Sequence, residues 1–220
     1  MIRVNRLPSL VRQHIAALRA LLVFTAICGL AYPVVMVGLA QVAFRNQADG
    51  SLVSYRGKTV GSSLLCQEFV NAKGSPLPQF FQPRPSAALS STSPGPGTSK
   101  YGCDPGNSGA ANLGPNSPVL LQQVKQLQRQ IAAFDHVSVS QIPPDAVTTS
   151  GSGLDPDISP AYAYLQVNRV AAARHLPVSV VRNLVTAHVK GRNLGFLGEP
   201  VVDVLQLNIA LVQLSARQAG

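Results

Sequence analysis

The chain has 220 residues, 46% of them hydrophobic, with 18 Lys and Arg against 9 Asp and Glu. That is enough for one ordinary domain with a core, plus an extra segment at an end. The formal charge of +9 invites nucleic acid, but Arg3, Arg6, Arg12 and Arg19 supply four of those charges. The rest are thinly spread with no basic run or aromatic interleaving, which argues against nucleic acid as a partner.

Residues 20–44 are 25 consecutive positions without a charge, longer at 1.5 Å rise per residue than the roughly 30 Å hydrocarbon layer of a bilayer. A single spanning helix is predicted there. The four arginines precede it and every acidic residue, from Asp49 on, follows it, so residues 1–19 are placed in the cytoplasm and 45–220 on the outer face of the membrane. Gly38-Leu39-Ala40 has the small-x-small form of a signal-peptide cleavage site, but the apolar core of such a peptide is typically about 7–15 residues, so an anchor is the reading taken. Tyr32-Pro33, mid-span, hints at a kink.

Cys28 lies inside the span. Cys66 and Cys103 lie beyond it, where an oxidising compartment could pair them; their spacing leaves that open. No histidine stands near either and C-x-x-C is absent, so no metal site is predicted.

After the span, Leu52, Val53 and Tyr55 with Arg56-Gly57 predict a hairpin leading to Thr59-Val60. Ser62 or Ser63 could cap a helix carrying Leu64, Leu65, Phe69 and Val70. Residues 76–118 hold nine prolines with much Ser, Gly and Asn, a long loop of the kind that is usually functional or disordered. Ser117-Pro118 predicts a helix start and 119–133 an amphipathic helix. Ala146-Val147-Thr148 has strand character. Ser159-Pro160 opens a helix to about Arg174, a further helix over about 179–190 ends at Gly191, Val201-Val202 is extended, and Asp203 caps a last helix. The class is α+β, mostly helical with a small sheet.

Ser150-Gly151-Ser152-Gly153 before a helix start could present backbone N–H groups to an anion. Ordinary turn chemistry is the favoured account of these residues taken alone, since Asp155 and Asp157 would repel a phosphate. A Walker loop, a Gly-x-Ser-x-Gly elbow, a Ser-x-x-Lys pair and a His-Glu-x-x-His helix are absent from the sequence, so an enzyme acting alone is not predicted. The scattered histidines suit structural or solvated roles. Arg84, stiffened between Pro83 and Pro85, could present its guanidinium to a carboxylate or carbonyl.

Several pieces, in order, resemble the C subunit of Kdp-type potassium-transporting ATPases. They are Val60-Gly61-Ser62 with Gln67 and Phe69, Phe81-x-x-Arg84-Pro85-Ser86, Asn112-Leu113-Gly114-Pro115, Val147-Thr148-x-Ser150-Gly151-Ser152-Gly153-Leu154-Asp155-Pro156, Gln166-x-x-Arg169 and Leu197-Gly198-Glu199-Pro200. Cys66, Asp157 and Asp203 depart from the family's usual residues. The resemblance implies partnership with a channel-like potassium-translocating subunit and a P-type ATP-hydrolysing subunit, without a tightly bound cofactor. It also implies a catalytic-chaperone role that raises ATP affinity, with Ser150, Gly151, Ser152, Gly153 and Gln166 contributing to nucleotide binding. A domain on the outer face cannot meet cytoplasmic ATP, which favours instead a role in stabilising the channel-like subunit and covering its ion entrance. Arg84, Asn112 and Gly114 are the partner contacts predicted. The competing reading is a free-standing anchored enzyme or anion-binding domain.

Overall fold

A computed structural model describes residues 8–87 and 103–218; Arg3, Arg6 and the middle of the 76–118 loop lie outside the described residues. The chain divides into two units, Met1–Ser51 and Leu52–Gly220.

In the first unit, α1 (Ser9–Phe24), a π-helical stretch (Thr25–Ala31) and α2 (Tyr32–Ala43) run on as one helix, Ser9–Ala43, of 35 residues with none buried. At about 52 Å it is long and apolar enough to cross a bilayer. Pro33 explains the π-helical stretch. It has no N–H for the carbonyl of Gly29 and its ring crowds that carbonyl, so the preceding turn widens and the Tyr32 N–H bonds the Ile27 carbonyl five residues back. A short α3 (Arg45–Ala48) follows.

The second unit opens with the expected hairpin, β1 (Leu52–Tyr55) and β2 (Lys58–Ser62), turning through Arg56 and Gly57 at φ 51° and 76°, the left-handed pair that such a turn requires. Gly61 has no room for a side chain, since a Cβ there would stand 2.7 Å from Gln67 Oε1 and 2.9 Å from Leu205 Cδ2.

The helix expected after Ser62 does not form. Ser62 Oγ accepts the Leu64 N–H at 3.1 Å in a tight turn, and the Cys66 N–H, which a helix would direct to Ser62, donates instead to the Leu154 carbonyl at 2.9 Å. Leu64 is left exposed, and the chain runs on irregularly with one bridge between Val70 and Pro76. Ala146-Val147-Thr148 is not a strand either. Pro143 and Pro144 set up a single 3₁₀ turn, Pro144–Ala146, because a proline fixes φ and withholds the N–H that a ladder needs.

The remaining helices start where their caps predicted. Ser117 caps α4 (Pro118–Asp135), Ser159 caps α5 (Pro160–Arg174), and Asp203 Oδ1 accepts the Gln206 N–H at 2.9 Å ahead of α7 (Val204–Gln218). The helix expected to end at Gly191 is shorter: α6 (Val178–Ala187) stops at His188, and the next two residues form β4 (Val189–Lys190). They pair with β5 (Val201–Asp203), which pairs on its other side with β3 (Asp157–Ile158), giving an antiparallel sheet of order β3-β5-β4. The fold is α+β, with α5 at its centre packed against α4, α6 and β5. Tyr162, Ala163, Val167, Val170 and Ala171 of α5 meet Phe81, Ile131, Val181, Val185, Leu207 and Leu211 in one core.

α4 and α5 both end on a histidine in left-handed conformation, His136 at φ 55° and His175 at φ 56°. Glycine is the residue without strain there. His175 is exposed, so His175→Gly should relieve a left-handed cost of roughly 1–2 kcal/mol against an added entropic cost of roughly 0.5–1 kcal/mol, a net gain in stability of about 1 kcal/mol or less, read as a higher urea midpoint at unchanged slope.

Candidate functional site

The residues singled out from the sequence fall into two places. The first is a loop stapled together at 148–155, and its pieces come from far apart. Ser150 Oγ accepts the Gly153 N–H at 2.8 Å and Ser152 Oγ accepts the Leu154 N–H at 3.1 Å. Gly153 O takes the Ser86 hydroxyl at 2.9 Å, while Ser152 O takes the Gly109 N–H at 2.8 Å and the Ser108 hydroxyl at 3.0 Å. Arg84, as its proline-flanked backbone predicted, offers a fixed guanidinium: Nη1 donates to Asp155 Oδ2 at 2.8 Å and Nη2 to the Thr148 carbonyl at 3.2 Å. The disulfide between Cys66 and Cys103, with Cα atoms 5.9 Å apart, fastens the neighbouring strands of loop, and Glu68 Oε1 accepts the Cys103 N–H at 2.8 Å.

Around this loop lies an open recess of about 590 Å³ lined by Leu64, Leu65, Arg84, Ser150 to Ser152 and Leu154 to Pro156. Its chemistry is near neutral, because Asp155 offsets Arg84. The helix dipole expected to serve an anion is spent elsewhere: Leu154 to Ser159 separate the loop from α5, and Asp145 takes both the Ser159 N–H and its hydroxyl at 2.8 Å. Asn112, in left-handed conformation at φ 51°, and Gly114 sit together on an exposed turn. Among the described residues, no group of three His, Cys, Asp or Glu could hold a metal.

Gln166 belongs to the second place and does not line the recess. It is fully buried in α5, its Oε1 accepting the Gln82 N–H at 2.7 Å and its Nε2 donating to the Gln82 carbonyl at 3.1 Å. Asn208 of α7 treats the next residue in the same way, Oδ1 taking the Phe81 N–H and Nδ2 giving to the Phe81 carbonyl, both at 2.9 Å. Two side-chain amides thus do for residues 81–82 what a neighbouring strand would do. Arg169 completes the clasp. Nε pairs with Asp135 at 2.7 Å, Nη1 donates to the carbonyls of Pro78 and Phe80 at 2.6 and 2.9 Å, and Nη2 donates to Gln166 Oε1 at 2.7 Å. Arg174 Nε donates to the Gln79 carbonyl at 2.6 Å.

Sequence reasoning missed Asn208, Asp135 and Gln82 in this arrangement. The available signal was polar residues recurring on the buried face of a helix, Gln166 and Arg169 among Tyr162, Ala163, Val167 and Val170.

Beside the recess, Asp157 faces Asp203 across the β3–β5 pairing, and Lys190 Nζ lies 3.4 Å from Asp203. Burial pushes the Asp157 carboxyl above its ordinary range; Lys190 opposes this, while Asp203 and Asp155 add to it. The folded state therefore binds this proton more tightly than the unfolded chain. Stability from this group is present at acid pH and is lost as pH rises from the ordinary carboxylate value through the raised one. Asp157→Asn should raise the melting temperature at neutral pH and flatten its decline as pH rises above the ordinary carboxylate range.

Residues 14–213 match the family described as K+-transporting ATPase, c chain. A potassium-transporting ATPase KdpC subunit from Kineococcus radiotolerans is 47% identical over 205 residues, covering 93% of this chain and 95% of that one. The KdpC subunit of Bradyrhizobium diazoefficiens is 45% identical over 210 residues (94% and 100%), and that of Streptomyces coelicolor 44% over 225 (97% and 98%). The match runs from the long apolar helix through Gln166 to Asn208 in α7, and on it the chain belongs to the KdpC family of potassium-transporting ATPase subunits.

Proposed function

We propose that the chain is a non-catalytic subunit of an ATP-driven potassium uptake complex. A single membrane helix anchors it with its N-terminus in the cytoplasm and residues 45–220 outside a bacterial inner membrane. There it docks on a channel-like potassium-translocating subunit that works with a P-type ATP-hydrolysing subunit, and stabilises the assembly. The observation that carries the outer placement is the Cys66–Cys103 disulfide, since such bonds persist in oxidising compartments and are rare in a reducing cytoplasm. Arg12 and Arg19, ahead of the uncharged 20–44 run, agree with it.

Raising the ATP affinity of a partner from the far side of a membrane is coupling through that partner's conformation, with no need for nucleotide contact. The inward use of Ser150 and Ser152 and the burial of Gln166 support this division of labour. The second reading, an anion-binding domain, draws on Arg84 Nε, a buried donor with no partner among the described residues.

The test is to tag the full chain, express it at native level under potassium starvation and identify what copurifies in mild detergent. A large channel-like protein and a P-type ATPase in fixed ratio are expected. Recovery of the chain alone, with ATP binding that Ser150→Ala and Ser152→Ala abolish, would overturn the proposal in favour of the second reading.

A further inference from the structure

Between β4 and β5 the chain leaves the sheet in a small finger, residues 191–199, every one of them exposed. Its tip is apolar: Leu194 is 83% exposed, Phe196 68% and Leu197 49%. A tip of three large apolar side chains in water invites collapse, yet this one is locked. Asn193 and Leu197 exchange both backbone hydrogen bonds at 2.9 Å, the Gly195 N–H donates to the Arg192 carbonyl at 3.1 Å, and the Phe196 N–H donates to the Asn193 carbonyl at 3.3 Å. Across the base, Arg192 Nη2 bonds both carboxylate oxygens of Glu199, at 2.9 and 2.7 Å. Leu194 itself stands at φ 54°, a conformation that a branched side chain adopts only where surrounding structure holds it. Among the described residues no burial of Leu194 offsets that strain, since the residue is 83% exposed.

From these features we infer that the 194–197 tip is an apolar anchor that seats in an uncharged, water-excluding pocket on another subunit of the same ATPase. This rests on the reading of the chain as a docking subunit, and names the surface. Charge selects the occupant. The finger's only carboxylate is neutralised by Arg192, and Lys190 at its root leans on Asp203, so no unpaired cation is offered to anionic lipid headgroups, whereas an uncharged pocket matches a neutral tip. Three side chains fall far short of the ~800 Å² per partner of a stable interface, so the tip is not a self-sufficient dimer contact. They suit one preorganised hot spot inside a larger contact.

The tip permits a test in which folding and docking move in opposite directions. Leu194→Gly removes an anchor and relieves the backbone strain, and Phe196→Ser removes the aromatic. The tagged full chain, wild type or carrying both changes, is expressed with its partner subunits. The double variant should reach wild-type levels in the membrane and melt no lower than wild type, while recovery of partner subunits falls roughly tenfold or more. Undiminished recovery would overturn the inference; a wild-type chain that recovers no partner would instead overturn the docking role beneath it. Because the chain contains no tryptophan, Phe196→Trp is a sole reporter in the full chain alone in lipid vesicles. It should emit as a water-exposed indole, and quenching by brominated lipid would show a bilayer occupant and equally overturn the inference.

Discussion

Arg169→Met is expected to destabilise the Leu52–Gly220 unit by about 3–5 kcal/mol, enough to leave little of the native state in a domain of ordinary stability. Arg169 and Asp135 are 4% and 2% exposed at their side chains, so the substitution strands a carboxylate in the core. It also takes a donor from the Pro78 carbonyl, leaves the Phe80 carbonyl only the 3.4 Å bond from Gln82 Nε2, ends one bond to Gln166, and removes a guanidinium lying 4.3 Å from the Phe134 ring centroid. Burial already pushes the Asp135 carboxyl up, with the lowering pull of Arg169 and His136 working against it. Without Arg169 the carboxyl rises further, so the variant should be most stable in acid and lose stability as pH climbs through that raised value. Asp135→Asn added to Arg169→Met should recover part of the loss and remove its pH dependence. Urea unfolding of the solubilised full chain at pH 5 and pH 8 measures both effects.

Replacing Cys66 and Cys103 together by serine is expected to cost about 3–4 kcal/mol. The bond joins residues 37 apart in sequence, and freeing a loop of that length returns its closure entropy to the unfolded chain. Both cysteines are buried, and beside them Glu68 and Leu154 hold backbone N–H groups whose geometry the bridge maintains. In thermal melts the reduced wild type should fall toward the double serine variant, which melts no higher because it buries hydroxyls where thiols sat. Reductant should leave the variant unmoved, since its remaining Cys28 belongs to the apolar helix.

The elements legible in the sequence are those whose cause is local. Ser117, Ser159 and Asp203 announce α4, α5 and α7 because a cap acts within one turn. The positive-φ pair Arg56-Gly57 announces its hairpin for the same reason. Illegible were the elements whose cause lies elsewhere in the chain. Leu64, Leu65, Phe69 and Val70 have helical spacing, but Leu154 takes the backbone N–H of Cys66 and Cys103 takes its sulfur. Likewise β4 interrupts a plausible helix because Val201 and Val202 supply a ladder for Val189 and Lys190. The candidate site divides in the same way. That Ser150 to Gly153 form a tight turn could be read directly, whereas its closure by Ser86, Ser108 and Gly109 could not.

The amide clasp on residues 81–82 also sets an order of events at birth. Phe81 is made 127 residues before Asn208, the side chain that satisfies its backbone, which at 5–20 residues per second is a wait of about 6–25 s. Throughout that interval Phe80 and Phe81, with the carbonyls around them, have no finished place to go, and α7, made after the rest of the core, is the piece that closes the domain. A nascent chain of this kind gains from something that shelters it while it is incomplete, and a transcript cut short before α7 yields a product suited to proteolysis rather than a smaller working domain.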